Sequence, residues 1–195
     1  MSVVVAVKYD NGVAVGADKQ ATTYNQYKES CTKIKKFQDS NIVIGSSGAL
    51  DDFLPIQYCD EIIDYKDLFK KTKIDDAYIY ENTIPKLIDL LKNRNRVKQN
   101  SGKIEIDSAF LLATSDGIFI ISSEFGLYEY EFYTSIGCGT FSVEGYLNVE
   151  LKDKKPELIN KDEAVRIVKD AIEKACSSDV FIGMGVDLFV LEKEE

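Results

Sequence analysis

The chain has 195 residues, 45% of them hydrophobic, and a formal net charge of −9 with no histidine. The acidic balance speaks against nucleic acid as a main partner, and the missing histidine excludes Ser-His-Asp, Cys-His and histidine-metal chemistry. Only 3 prolines, no Gly/Ser tract, no apolar run of the ~18 residues that span a bilayer and no basic, cleavable leader predict one folded domain over 1–195 in the cytoplasm.

Val3 to Asp18 is two β-branched runs separated by Asn11-Gly12, the strongest short hairpin signal because both turn residues tolerate positive φ. The unbroken apolar character of Val3 to Val7 predicts a strand covered on both faces. Lys33 to Phe37 and Asn41 to Ser46 read as the next strand pair. Leu50 to Tyr65 has helical spacing at Phe53, Leu54, Ile56, Ile62 and Ile63, with Pro55 in its first turn or bending it. Asp76 to Lys92 repeats the pattern with Pro85 as a kink, and the polar stretch Arg94 to Lys103 reads as a loop.

A second hairpin follows at Ala109 to Ser122 around Ser115-Asp116-Gly117, so the two halves of the chain echo each other, with Tyr128 to Ile136 as the next strand pair. Ser142 to Lys152 is a helix, and Lys161 to Cys176 a stronger one, capped by Asn160 with Glu163 at capping-box spacing. Val180 to Leu191 closes the chain as a strand before the charged tail Glu192 to Glu195. Strands, two helices, strands, two helices and a strand describe α+β layers, two sheets with helices outside, rather than alternating βαβ units. Cys31, Cys59, Cys138 and Cys176 form no CxxC pair, so neither disulfide nor zinc is expected, and no cofactor is called for.

Ser2 becomes a hydroxyl nucleophile with a built-in base if Met1 is removed, because an α-amine titrates at about 7.7–8 and is partly neutral near pH 7. Without histidine this is one of few acyl-transfer solutions left. Gly45-Ser46-Ser47-Gly48-Ala49-Leu50-Asp51-Asp52 joins a strand to a helix: either an ordinary turn, or a turn whose backbone N–H faces an oxyanion. Asp18 and Lys33 read either as solvated strand-end charges or as partners of the amine, the lysine lowering its pKa and the aspartate orienting the lysine.

Val15-Gly16-Ala17-Asp18-Lys19-Gln20-Ala21-Thr22, Thr32-Lys33-Ile34 and Ile44-Gly45-Ser46-Ser47-Gly48-Ala49-Leu50-Asp51-Asp52 together resemble the proteasome β-subunit family, including its HslV-type relatives. Ile136-Gly137-Cys138-Gly139 is similar to the family's Gly-Ser-Gly segment, and Ser178-Asp179 precedes the last strand. The resemblance implies a four-layer αββα sandwich of two antiparallel sheets flanked by helices. It makes Ser2 the nucleophile, Asp18 and Lys33 its acidic and basic partners, Gly48 the oxyanion donor, and Cys138 and Asp179 the groups supporting the N-terminal residue. Thr22 and Leu50 match positions that pair with an extended substrate backbone, and Ala21, Cys31, Ser46 and Leu54 positions that line the primary specificity pocket.

Serine replaces the family's usual threonine at position 2, Cys138 replaces one supporting serine and Ile182 another. Only Met1 precedes Ser2, where many β-subunits carry a propeptide, so an aminopeptidase is expected to expose it. The resemblance thus implies a peptidase acting on polypeptide substrates within a homo-oligomeric ring, with access controlled by an ATPase unfoldase. The alternatives are a transpeptidase or amidase on the same chemistry, and a catalytically silent structural subunit.

Overall fold

The computed structural model describes residues 2–22, 28–37, 40–63, 74–100 and 102–193. In chain order its strands are β1 (Val3–Tyr9), β2 (Gly12–Asp18), β3 (Gln20–Thr22), β4 (Lys28–Ser30), β5 (Ile34–Lys36), β6 (Ile42–Gly48), β7 (Lys98–Asn100), β8 (Lys103–Glu105), β9 (Ser108–Thr114), β10 (Ile118–Ile121), β11 (Leu127–Tyr130), β12 (Tyr133–Gly137) and β13 (Val186–Glu192). The main helices are α1 (Leu50–Gln57), α2 (Ile84–Asn93), α3 (Thr140–Glu150) and α4 (Lys161–Ser178). One antiparallel sheet has the order β12-β1-β2-β13, the other β11-β10-β9-β6-β5; β3-β4 and β7-β8 are small separate ribbons.

Strand alternation sorts the side chains into three cores. Val3, Val5 and Val7 face α3 and α4, packing on Val143, Leu147, Ile167, Val168 and Ile172. Val4 and Ala6 face the other way, meeting Val43, Leu111 and Ala113 of the second sheet. The outer face of that sheet carries Ile42, Ile44, Phe110 and Leu112 against Phe53 and Ile56 of α1 and Leu87 and Leu91 of α2. The result is the expected αββα sandwich. Residues Val3 to Val7 are all fully buried, and each valine so buried contributes about 1.5–3 kcal/mol. That is the physical reason the run is apolar at every position rather than at alternate ones.

Both hairpins form as read, at β1-β2 and β9-β10, and β5 pairs with β6. Asn160 Oδ1 accepts the Glu163 N–H at 2.9 Å to start α4, but the Glu163 carboxylate pairs with Lys154 at 2.7 Å instead of closing the capping box.

Five expectations need correction. The helix predicted over Leu50 to Tyr65 closes at Gln57, with Pro55 inside it; Lys35 Nζ takes the carbonyls of Ile56 at 3.1 Å and Cys59 at 3.0 Å, and Tyr65 lies outside the described residues. The segment from Asp76 is helical, but Ile79–Thr83 is π-helical, with the Ile84 N–H bonding to the Ile79 carbonyl. That wider turn relieves the clash an α-helix imposes between a proline ring at Pro85 and the carbonyl four residues earlier. The stretch predicted as a loop contains β7 and the start of β8, a ribbon that sets Lys98 opposite Glu105; β7 is exposed and polar throughout and Ile104 is the one apolar residue of the ribbon, so there is no apolar period to read. Strands β11 and β12 do not pair with each other, because the Lys8 N–H draws the Phe132 carbonyl to β1 at 2.8 Å and carries the chain from one sheet to the other. The last strand starts at Val186, not Val180: Met184 and Gly185 have positive φ (61° and 96°), and the Lys19 N–H bonds to the carbonyls of Gly183 and Gly185.

Candidate active site

Asp18 ends β2 opposite the start of β1 and is fully buried, with both carboxylate oxygens engaged. Oδ1 accepts the Val3 N–H at 2.9 Å and the Lys33 ammonium at 2.8 Å. Oδ2 accepts the N–H of Gln20 at 3.1 Å and of Gly183 at 3.2 Å. A buried carboxylate persists only when it is paired and hydrogen-bonded, and this one has both. The same oxygen therefore bonds the Lys33 ammonium and the residue next to Ser2. Ser2 and Lys33 are each 4% exposed.

The second sheet closes over this cluster. The Ser46 N–H bonds to the Lys33 carbonyl at 2.9 Å, on the β5 side of β6. By strand alternation the Gly48 N–H points to that same side, past Ile34, where β5 begins. Ala49 turns the other way and bonds to the Asp107 carbonyl at 3.3 Å. Gly48 itself has φ +132°, and a Cβ there would lie 2.2 Å from the Asp107 carbonyl oxygen, so only glycine fits.

Gly137, at the end of β12, sits opposite Val3 with φ +111°. A Cβ on it would fall 2.0 Å from the Ser2 carbonyl oxygen and 2.8 Å from the Ser47 hydroxyl, so β12, Ser2 and β6 meet there without room for a side chain. Cys138 then places its thiol 3.5 Å from the Ser2 carbonyl as a donor. Desolvation, and next the Asp179 carboxylate beside it, push that thiol's pKa above the ordinary range. It is a protonated donor, not a thiolate.

Asp179 caps its own loop, Oδ1 accepting the Phe181 N–H at 2.9 Å, and the loop delivers the Gly183 N–H to Asp18. Thus Ser2, Asp18, Lys33, Cys138 and Asp179 come together, with Gly48 on the facing strand. Of the expected substrate-contacting residues, Ser46 is buried beside Lys33, Ala21 and Thr22 lie on β3, and Cys31 follows β4 with its N–H on the Lys19 carbonyl at 2.8 Å. Desolvation raises the Cys31 thiol pKa. Leu50 and Leu54 stand on α1, 38% and 37% exposed; Leu54 lines a pocket with Asp51, Tyr58, Leu90, Arg94 and Arg96, in which none of Ala21, Cys31 and Ser46 takes part.

Residues that sequence reasoning passed over complete the cluster. Gln20 is 3% exposed, and its side chain donates to the Val180 carbonyl at 3.0 Å and to Thr22 Oγ1 at 3.3 Å, tying the 179–185 loop to β3. Its position two residues after Asp18 was a usable signal. Gly183 acts through its backbone N–H and offered none. Among the described residues no group of three or more His, Cys, Asp or Glu could hold a metal ion.

The family model described as Proteasome subunit matches residues 2–93. The Saccharomyces cerevisiae proteasome subunit beta type-2 is 24% identical over 97% of this chain and 68% of its own length. The Nanoarchaeum equitans proteasome subunit beta is 22% identical over 100% of this chain and 94% of its own. Among solved structures, Thiobacillus denitrificans BPH in complex with epoxomicin superposes with a TM-score of 0.74 at 19% identity, covering 99% of this chain and 100% of that one. Eukaryotic HslV from Trypanosoma brucei gives 0.64 at 18% identity, covering 97% and 99%. These two structures are similar in fold.

Proposed function

We propose that this chain, which matches the Proteasome subunit family model over residues 2–93 and is similar to two proteasome β-subunits, is a peptidase that uses Ser2 as an N-terminal nucleophile once whatever precedes Ser2 has been removed. The observation that carries this reading is the shared Asp18 oxygen, which bonds Lys33 at 2.8 Å and the Val3 N–H at 2.9 Å. It fixes a positive charge beside the residue that must act, in a buried site where charges are weakly screened.

In the proposed reaction the Ser2 hydroxyl attacks a peptide carbonyl while the freed α-amine takes its proton. The Lys33 charge disfavours protonation of that amine and keeps it a base. The Gly48 N–H faces the developing oxyanion. The ammonium then returns its proton to the leaving amine, which departs, and water hydrolyses the Ser2 ester with the same amine as base. Asp18 holds Lys33 throughout, the Cys138 thiol holds the Ser2 carbonyl, and Asp179 supports both. Ala21, Cys31 and Ser46 would shape the pocket for the substrate side chain, with Thr22 and Leu50 pairing with its backbone, while Leu54 belongs to the separate pocket beside α1. Such subunits work in rings, and we extend that to this chain: a cytoplasmic homo-oligomer fed by an ATPase unfoldase.

Intact-mass analysis with two electrophiles tests the reading. A β-lactone needs only the hydroxyl, whereas an epoxyketone such as epoxomicin, bound to the Thiobacillus relative, offers a ketone to the hydroxyl and an epoxide to the amine. One adduct of each kind on protein beginning at Ser2, both lost in Ser2→Ala, is the expected result. No adduct from either sinks the reading. A second reading, a silent structural subunit, is favoured by the 4% exposure of Ser2, and that null result would select it.

A further inference from the structure

Asp52 is 1% exposed, at the third position of α1, where an acidic residue would serve the helix dipole just as well from the surface. Instead it is drawn inward and both oxygens are used. Arg96 Nε donates to Oδ1 at 2.8 Å, and the Ser108 hydroxyl donates to Oδ2 at 2.8 Å. The Ser108 hydroxyl also lies 3.3 Å from the Ala49 carbonyl, which receives the Asp52 N–H at 3.1 Å. Ser108 is the register partner of Gly48. Three chain segments thus converge on the residue after Gly48: the start of α1, the start of β9, and the stretch after α2 that carries Arg96.

A buried ion pair of this kind is poor evidence for stability, since an apolar replacement does as well; its use is to select one arrangement. The arrangement selected here is the turn at Gly48 and Ala49. With φ at +132° and the Asp107 carbonyl in van der Waals range, Gly48 has no side chain of its own to hold its peptide in place. Ala49 is therefore anchored on both of its backbone groups: its N–H by the Asp107 carbonyl at 3.3 Å and its carbonyl by the Asp52 N–H at 3.1 Å, with the Ser108 hydroxyl giving its one proton to the Asp52 carboxylate and holding that residue in place.

We propose that Arg96, Asp52 and Ser108 are positioning residues for the oxyanion donor: a clamp, remote from Ser2 in sequence, that aims the Gly48 N–H. The inference rests on the peptidase reading above. Rotating a donor away from the oxyanion forfeits part of the about 10²–10³ in rate that deleting one costs. Loss of the clamp is therefore expected to slow acylation about tenfold or more while leaving probe binding unchanged.

The test uses the full chain processed to Ser2 and a β-lactone, whose carbonyl is attacked by the Ser2 hydroxyl as the ring C–O bond breaks and the freed alkoxide takes the proton. The maximal rate constant of labelling and the half-saturating probe concentration are measured for wild type, S108A, S108T and the charge-neutral double variant D52N/R96Q, which leaves no unpaired ion in the core. S108A and D52N/R96Q are expected to lower the rate constant about tenfold or more, with half-saturation within about twofold and faster amide exchange in the segment 47–52. S108T, which keeps the hydroxyl, restores the rate. Variants that melt earlier but label at the wild-type rate overturn the inference and leave the peptidase reading standing. Wild-type protein that takes no probe overturns both.

Discussion

Replacing Asp18 by asparagine isolates the electrostatics of the site with almost no change in volume. The amide keeps one acceptor oxygen. Whichever way it turns, its NH2 faces either Val3 N–H and Lys33 or Gln20 N–H and Gly183 N–H, donors in both cases. Two costs follow. The Lys33 ammonium, 4% exposed, loses its counter-charge, and breaking a buried pair costs about 3–5 kcal/mol. The backbone N–H groups left facing a donor, Val3's in one orientation and those of Gln20 and Gly183 in the other, add about 1–3 kcal/mol, not fully additive with the first. Taking about 4–6 kcal/mol in all, and about 2–4 °C per kcal/mol for a domain of this size, D18N should melt about 8–24 °C below wild type. The double variant D18N/K33M removes the stranded charge and should recover the larger cost, leaving about 1–3 kcal/mol. Circular-dichroism melts and urea titrations of the four proteins give the coupling as a double-mutant cycle, expected at about 2–4 kcal/mol and favourable. A D18N protein within about 2 °C of wild type, or a double variant as unstable as the sum of the singles, would refute the claim that Asp18 and Lys33 act as one buried unit.

Gly137→Ala should destabilise by about 3 kcal/mol or more and abolish labelling of Ser2, because the new methyl lands 2.0 Å from the Ser2 carbonyl oxygen; a melt unchanged from wild type refutes it. Lys35→Met should cost about 1–2 kcal/mol by uncovering the carbonyls of Ile56 and Cys59 at the end of α1, read from urea midpoints. Tyr9, whose phenol is held up to about 12 first by burial and then by Glu192 and Asp10, should contribute only about a tenth of a phenolate at pH 11 in the folded protein, read as the absorbance difference between wild type and Tyr9→Phe. Above pH 10 the unfolded chain then binds fewer protons than the folded one, so stability falls as pH climbs from 10 to 12, by about 2–3 kcal/mol in total from this group. Tyr9→Phe should flatten that slope, and a wild-type minus Tyr9→Phe difference spectrum that shows a phenolate half-formed at pH 10 in folded protein rules the account out.

The layers were legible because they rest on periodicity. Val3 to Val7 announced a strand buried on both faces, and Ala164, Ile167, Val168, Ala171 and Ile172 announced the face of α4 that covers it. What failed was decided by contacts invisible in a local window. Strands β11 and β12 are near neighbours in sequence yet lie in different sheets, because one backbone bond from Lys8 to Phe132 sets where the chain crosses. The β7-β8 ribbon buries little, and without burial there is no apolar pattern to read. The end of the chain misled for the opposite reason. Val180 to Leu191 is apolar enough for one long strand, but Met184 and Gly185 take positive φ so that Gly183 can turn its N–H onto Asp18.

That last exchange explains which parts of the site a sequence can reveal. Asp18 and Lys33 carry charge, and a charge next to an apolar run stands out. Three of the four donors that bond Asp18, however, are peptide N–H: Val3, Gln20 and Gly183 could be many residue types without changing that service. The same holds across the cleft, where Gly48 is visible as a glycine but the reason for its aim lies in Asp52, Arg96 and Ser108, which look like a helix-start acid, a loop cation and a strand-end hydroxyl. A site built from backbone donors spreads its specification over the residues that hold the backbone. Substitutions in this chain should therefore affect labelling of Ser2 from two places, the 179–185 loop and the α1-β9 junction, before they affect it from the exposed surface between them.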